Sequence, residues 1–186
     1  DKIAHIVRGL LDLHRRGTDT AGSCDARGVV SGLVELVASE MAKSSVRIET
    51  VMPAEPLHVA INANQLTQAL LNLILNAQDA MPDGGAVRVT AAQSDGTARI
   101  VISDNGVGIA PENRARIFTP FFTTKGPRGT GLGLSGSDSL VRAAGGAIRF
   151  TTDVGKGTSF EIVLPVAGKV GSVQEGPAAR AGVRDT

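Results

Sequence analysis

Apolar residues recur along this chain with two different periods, and the switches between them mark out its elements. Ile3, Ile6 or Val7, Leu10 and Leu13, spaced three to four apart, predict an amphipathic helix over residues 1–16 whose seam wants a partner helix. Residues 17–27 are loop-like. Val29, Val30, Leu33, Leu36, Val37 and Met41 then predict a second amphipathic helix over about 29–43. Short strand signals follow at 46–51 and 57–61, with Pro53 and Pro56 between them.

The stretch 65–80, QLTQALLNLILNAQDA, is different in kind. Leu66, Leu70, Leu71, Leu73, Ile74, Leu75 and Ala77 cover most of a helical cylinder, so this helix is buried nearly all round. It starts near Asn62 or Asn64 and is stopped by MPDGG at 81–85. Gln68, Asn72, Asn76 and Asp79 nevertheless form a narrow polar stripe along it. An unpaired buried amide costs about 1–3 kcal/mol. Something polar therefore lies against the stripe, either neighbouring backbone or a ligand.

Beyond it the period changes to two. Val87 and Val89, then Ala98, Ile100 and Ile102, predict two strands joined by a turn around Asp95 and Gly96, and the second strand runs straight into DNGVGI at 104–109. A short helix near 111–117, an irregular stretch at 119–131 and a helix over about 132–144 follow. Strands at 147–152 and 158–164 close the pattern. The tail, 166–186, is rich in Gly, Ala and Arg without periodicity and is expected to be a disordered linker. Because helices alternate with hairpin-type strands, the expected fold is an α/β two-layer sandwich, a mixed and mostly antiparallel sheet with helices on one face.

Composition narrows the function classes. With 186 residues, 42% of them hydrophobic, the chain can form one well-packed domain with short extensions. A net charge of +1 offers no field for nucleic acid or an anionic membrane. The lone Cys24 excludes an internal disulfide and suits a reducing compartment. No apolar run approaches the roughly 18 residues of a membrane span, so no membrane contact and a cytoplasmic location are expected for this piece. A start at Asp1 rather than Met suggests a fragment of something larger. His5 and His14 fall on opposite faces of their helix and cannot share a metal.

Two glycine-rich stretches carry the candidate chemistry. In DNGVGI, Asp104 ends a strand as an acceptor for an exocyclic amine such as adenine's, while Gly106 and Gly108 would let the backbone approach a ligand. In GTGLGLS, 129–135, alternate glycines lead into a helix whose free amides and positive end suit phosphates. GLGLSG also fits the GxGxxG dinucleotide pattern, but it follows loop rather than strand. GPRGTG is followed by Leu132 where a P-loop needs Lys. Neither of those nucleotide folds is expected.

In their order and spacing, the stretches NLILNAQDA, DNGVGI, IFTPFFTTK and GTGLGLS resemble the ATP-binding catalytic domain of bacterial sensor histidine kinases, in its nitrogen-regulation-like form. Asn76 and Asp104 are 28 apart, Gly108 and Gly129 21 apart, and the resemblance covers residues 28–165. It implies the Bergerat-type fold shared with gyrase-like ATPases and heat-shock chaperones. It also implies that Asn76 binds Mg²⁺, which bridges the ATP phosphates, with Asn72 and Asp79 against the nucleotide beside it. Asp104 would take the adenine amine, Gly106, Gly108 and Ile109 would shape the base pocket, and Thr158 would back it. Phe118, Phe121 and Phe122 would anchor a lid running from Ile109 to Gly131. Lys125 would meet the γ-phosphate as a catalytic cation together with Asn76, Arg128 being a weaker candidate. Gly129, Thr130, Gly131, Leu132, Gly133 and Leu134 would cradle the phosphates.

Position 72 separates readings within this resemblance. Gyrase-like ATPases carry there a Glu that activates water, and the amide of Asn72 cannot accept a proton, which disfavours an autonomous ATPase. A catalytically silent nucleotide-binding or interaction module is the remaining alternative. The implied partners are the kinase's own dimerisation and phosphoacceptor hairpin and a response-regulator receiver domain, within a homodimer that could be membrane-anchored. HIVRGLL at 5–11 only partly matches the phosphoacceptor pattern HExRNPL, and 71 residues from His5 to Asn76 are too few for the rest of a hairpin. Residues 1–20 are thus expected to end the second hairpin helix, with the phosphoacceptor histidine upstream, 21–166 to form the catalytic domain and 167–186 the tail. GSDSLVRAAGG departs from the more apolar run usual in this family, so packing beneath the phosphates is expected to differ, and Gly136 costs up to about 1 kcal/mol of helix propensity.

Overall fold

The computed structural model describes residues 22–126 and 129–168. The expected helix at 1–16 and the tail beyond 168 lie outside the described residues. Within them the elements run β1 (Cys24–Asp25), α1 (Ala26–Lys43), β2 (Val46–Val51), β3 (His58–Val59), α2 (Ala63–Asp79), β4 (Gly85–Ser94) and β5 (Thr97–Asp104). Then come α3 (Pro111–Arg114), α4 (Gly133–Ala143), β6 (Ala147–Asp153) and β7 (Gly157–Pro165).

Five strands form one sheet in the order β2-β4-β5-β7-β6, every pair antiparallel except β2 with β4. Helices α1, α2 and α4 pack on one face of it. This is the mixed, mostly antiparallel two-layer sandwich that the patterning predicts. The β4–β5 hairpin turns at Asp95 and Gly96, both at positive φ (50° and 77°), with Ser94 paired to Thr97. That is the primed two-residue turn that matches strand twist, and Asp-Gly is a preferred sequence for it.

The core is a seam between α2 and the sheet. Leu66, Leu70, Leu73 and Ile74 from the helix are fully buried with Ile100, Ile102, Ile162 and Leu164 from β5 and β7. Each such side chain contributes roughly 1.5–3 kcal/mol by leaving water. Asn62 caps α2, its Oδ1 accepting from the Asn64 N–H at 2.8 Å.

Four boundaries differ from expectation, each for a local reason. Residues 24–27 are not loop: Asp25 caps α1, accepting from the Arg27 N–H at 3.1 Å and the Leu57 N–H at 2.9 Å, so the helix begins at Ala26. The strand expected at 57–61 shrinks to His58–Val59, which pairs antiparallel with Cys24–Asp25. The helix expected at 111–117 stops at Arg114 and gives way to turns. Val166 and Ala167 are not linker: Val166 bridges Val59, and the Ala167 N–H donates to His58 O at 3.0 Å. Pairs of two residues leave no periodicity to read.

Candidate functional site

Helix α2 is the spine of the candidate site, meeting a different neighbour at each turn. Asn72, half-buried, donates from Nδ2 to Gly133 O (3.2 Å) and to Ser137 Oγ (3.1 Å) at the start of α4. Ser137 Oγ in turn donates to Gly133 O at 2.9 Å. Asn72 thus links α2 to the first turn of α4 through polar groups. Asn72→Ala is expected to lower stability by about 1–2 kcal/mol, read from the midpoint of urea unfolding, because a half-buried helix-to-helix link is lost.

One turn on, Asn76 Oδ1 accepts from Lys125 Nζ at 2.9 Å, and the same ammonium is paired with Asp79 Oδ2. Lys125 reaches this helix from the irregular 119–131 segment. Both members of the ion pair are well exposed, so it contributes only about 0–1 kcal/mol. The strap opens easily. At the end of α2, Ala80 O accepts the Val107 N–H at 3.0 Å, which docks the DNGVGI turn on the helix.

Asp104 ends β5 inside that turn. Its Oδ1 accepts the Gly106 N–H at 2.9 Å and the Thr158 N–H at 3.1 Å. Both bonds go to one oxygen, which leaves Oδ2 for a ligand N–H. Burial pushes its pKa above the usual carboxylate value, and the two backbone bonds oppose that rise without cancelling it. The Ile109 N–H donates to Thr152 Oγ1 at 2.9 Å.

The glycines of this turn meet protein rather than ligand on the side where a Cβ would stand. At Gly106 that atom would lie 2.5 Å from Ala80 O, and at Gly108, with φ +72°, 2.3 Å from Asp153 O. Their lack of a side chain admits neighbouring backbone. In the stretch expected to cradle phosphates, Gly131 (φ +66°) packs on the backbone of Phe121, and its carbonyl accepts the Phe121 N–H at 2.9 Å. Gly129 lies against Thr123 and Lys125. The free amides of Gly133 and Leu134 open α4, preceded by Thr130 and by an exposed Leu132.

The three phenylalanines expected to anchor a lid divide. Phe118 stacks edge-on to Phe150 at 6.0 Å, and Phe150 continues to Phe160 at 5.9 Å, so Phe118 is anchored on the sheet. Phe122 lies under the Arg116 guanidinium, 4.4 Å from its ring centre. Phe121 is not an anchor: it is 75% exposed at φ +66°, turned outward by the pinch with Gly131.

A cavity of about 280 Å³ opens beside Asp104, lined also by Thr152, Asp153, Lys156, Gly157 and Thr158. That is near the lower end of small-molecule clefts, roughly 300–1,000 Å³. It covers the Asp104–Thr158 end and stops short of Asn72, Asn76 and glycines 129–133. Sequence reasoning missed Thr152 and Gly157 here. The GKGT run at 155–158 could have flagged Gly157, while Thr152 carries no signal of its own.

Residues 61–168 match the family model described as "Histidine kinase-, DNA gyrase B-, and HSP90-like ATPase". The sensor histidine kinase ZraS of Escherichia coli K12 is 33% identical over 166 residues, a stretch covering 89% of this chain and 36% of that protein. The chain therefore spans about a third of that curated relative. Among solved structures, the mycobacterial sensor histidine kinase MprB is 33% identical with a TM-score of 0.68, over 77% of this chain and 96% of that one. Full-length ShkA in complex with AMPPNP is 31% identical with a TM-score of 0.69, over 77% of this chain and 30% of that one. Together with a carboxylate at a strand end, an amide-bearing helix behind it and a lysine strapped to that helix, the match places the family: the chain belongs to the histidine kinase-, DNA gyrase B- and HSP90-like ATPases.

Proposed function

We propose that this chain is the ATP-binding catalytic part of a sensor histidine kinase, which phosphorylates a histidine on its own dimerisation hairpin for relay to a receiver-domain aspartate. The observation that carries this reading is that one helix, α2, joins the carboxylate end of the site to an amide oxygen already holding a cation. The kinase names of ZraS and MprB, and the nucleotide analogue in ShkA, support it.

Asp104 Oδ2 accepts from the adenine amine, and Thr158 with Ile109 walls the base. Asn72 and Gly133 align the α4 amides towards the phosphates. Among the described residues no cluster of three His, Cys, Asp or Glu could hold a metal ion. Asn76 Oδ1 is nevertheless a hard oxygen already placed against a cation, Lys125, so it is the residue that would hold Mg²⁺. When bound, that ion supplies charge neutralisation on the phosphates. Lys125 leaves Asn76 and Asp79 and turns to the γ-phosphoryl, screening the charge that spreads there as the histidine ring nitrogen bonds to phosphorus. The bond from phosphorus to the β–γ bridging oxygen breaks, ADP departs, and the ring proton passes to a base beside the histidine. Asn72 supplies no base for water, so hydrolysis without the hairpin is slow. The kinase works as a dimer with its catalytic part in the cytoplasm. Among the described residues no helix is long and apolar enough to cross a membrane.

Calorimetric titration with ATP, with and without Mg²⁺, tests this reading, followed by transfer of labelled phosphate to a separately supplied hairpin. Micromolar to millimolar binding that strengthens with Mg²⁺ is expected. No binding to the folded chain at millimolar ATP would hand the reading to a nucleotide-free interaction module. Lys125→Ala is expected to weaken ATP about fivefold and leave ADP unchanged, since only ATP carries the γ-phosphate and a part-exposed charged bond is worth about 1 kcal/mol.

A further inference from the structure

Behind Thr158, one hydroxyl has all its hydrogen-bonding capacity committed. Thr152, paired with Thr158 across β6 and β7, places Oγ1 2.9 Å from the Ile109 N, 3.1 Å from Gly157 O and 3.0 Å from Thr158 Oγ1. A hydroxyl has one hydrogen and two lone pairs. The Ile109 N–H can only donate, and the Gly157 carbonyl can only accept. All three contacts are satisfied in one way: Thr152 gives its hydrogen to Gly157 O and accepts from both Ile109 and the Thr158 hydroxyl.

Thr158 then has no hydrogen left for the cavity it lines beside Asp104. Towards a ligand it shows lone pairs alone, as Asp104 Oδ2 does. Two acceptors side by side suit a base edge that carries an amine and oppose one that carries a carbonyl oxygen.

We propose that Thr152 is a positioning residue that makes Thr158 an acceptor, so that the pocket takes 6-aminopurine nucleotides and rejects 6-oxopurines. This rests on the nucleotide reading above and adds to it a residue that need not touch the base. Without the Thr152 hydroxyl, the Thr158 hydrogen loses its partner and turns to the cavity, where it can serve a 6-oxo group.

The test is calorimetry of ATP, with ITP measured by competition, on the full chain and on Thr152→Val and Thr152→Ser, with melting temperatures alongside. Thr152→Val is expected to weaken ATP about tenfold, the scale of one or two hydrogen bonds, with ITP unchanged or tighter, so that the ATP-to-ITP preference falls about tenfold. Thr152→Ser keeps the oxygen and is expected to restore the preference. A merely structural role would lower melting and weaken both nucleotides alike, and that unchanged ratio, or failure of the serine variant to restore it, overturns the proposal. If the valine variant does not fold, Thr152→Ala against Thr152→Ser gives the same decision. An unmodified chain that binds neither nucleotide overturns the kinase reading and this one with it, whereas binding with an unaltered ratio overturns this one alone.

Discussion

Asp104→Asn is expected to lower ATP affinity about 100-fold while the chain stays folded. Asp104 Oδ1 is fixed by the Gly106 and Thr158 N–H groups, and an asparagine oxygen can keep both bonds. That choice forces the new NH₂ into the place of Oδ2, where it faces the donor of a ligand amine. A charge-assisted bond of about 1.5–3 kcal/mol is lost and a donor–donor contact takes its place. Calorimetry reads the affinity and thermal melting reads the fold.

The pH dependence follows from the same burial. The folded-state pKa of Asp104 is raised, so its contribution to stability is fully present below the unfolded value and is lost as pH rises through the folded one. Neutral pH is where its burial costs most, and Asp104→Asn melts there no lower than the unmodified chain. ATP binding is expected to run the opposite way and to weaken as pH falls through the raised pKa, because the protonated acid offers a hydrogen where an acceptor is needed. The asparagine variant lacks that limb. A Kd profile over acidic pH that is the same for both chains would remove Asp104 from the base contact.

Gly157→Ala is expected to cost about 3–4 kcal/mol and to abolish nucleotide binding. Gly157 has φ +114°, and a Cβ there would stand 2.0 Å from the Asp104 carbonyl oxygen and 2.9 Å from the Asn105 backbone. The backbone conformation alone costs about 1–3 kcal/mol, and the clash moves the strand end that aims the carboxylate. Gly155→Ala is the control. It also has positive φ, +76°, but nothing within 4 Å of the added atom, so only the smaller conformational cost of about 1–2 kcal/mol remains. Urea unfolding compares the two. Equal losses would mean that close approach at Gly157 contributes nothing.

The parts of the fold that were legible in the sequence are those with several periods of pattern. Helix α2 declares itself through seven apolar residues around its circumference, and the β4–β5 hairpin through alternation on both sides of Asp95-Gly96. The Cys24–Asp25 and His58–Val59 pair could not be read this way, because two residues make no period and their partners lie more than 30 positions apart. The candidate site was legible as residue types and illegible as contacts. Asn76, Asp104 and Lys125 could be named from their motifs. That Lys125 spans Asn76 and Asp79 depends on a loop path no local pattern encodes. Glycine carries the same ambiguity: the sequence says that a Cβ is unwelcome at 106 and 108 and cannot say whether a ligand or Ala80 and Asp153 excludes it. Phe121 shows the converse, an aromatic expected to pack and turned out by a backbone pinch.

That pinch changes how the segment between residues 121 and 131 can be altered. The Phe121 N–H bond to Gly131 O ties the two ends of the segment together below its tip, with the missing Cβ of Gly131 filled by Phe121 backbone. A loop closed at its own neck passes little strain to the body beneath it, and doubling the length of a flexible loop adds only about 0.6 kcal/mol of closure entropy. The segment between residues 121 and 131 is therefore held at its neck, and Lys125 holds it a second time on α2. Changes to its side chains that keep Phe122 and Lys125 alter how the site is covered, while α2, α4 and the sheet keep the frame on which it is mounted.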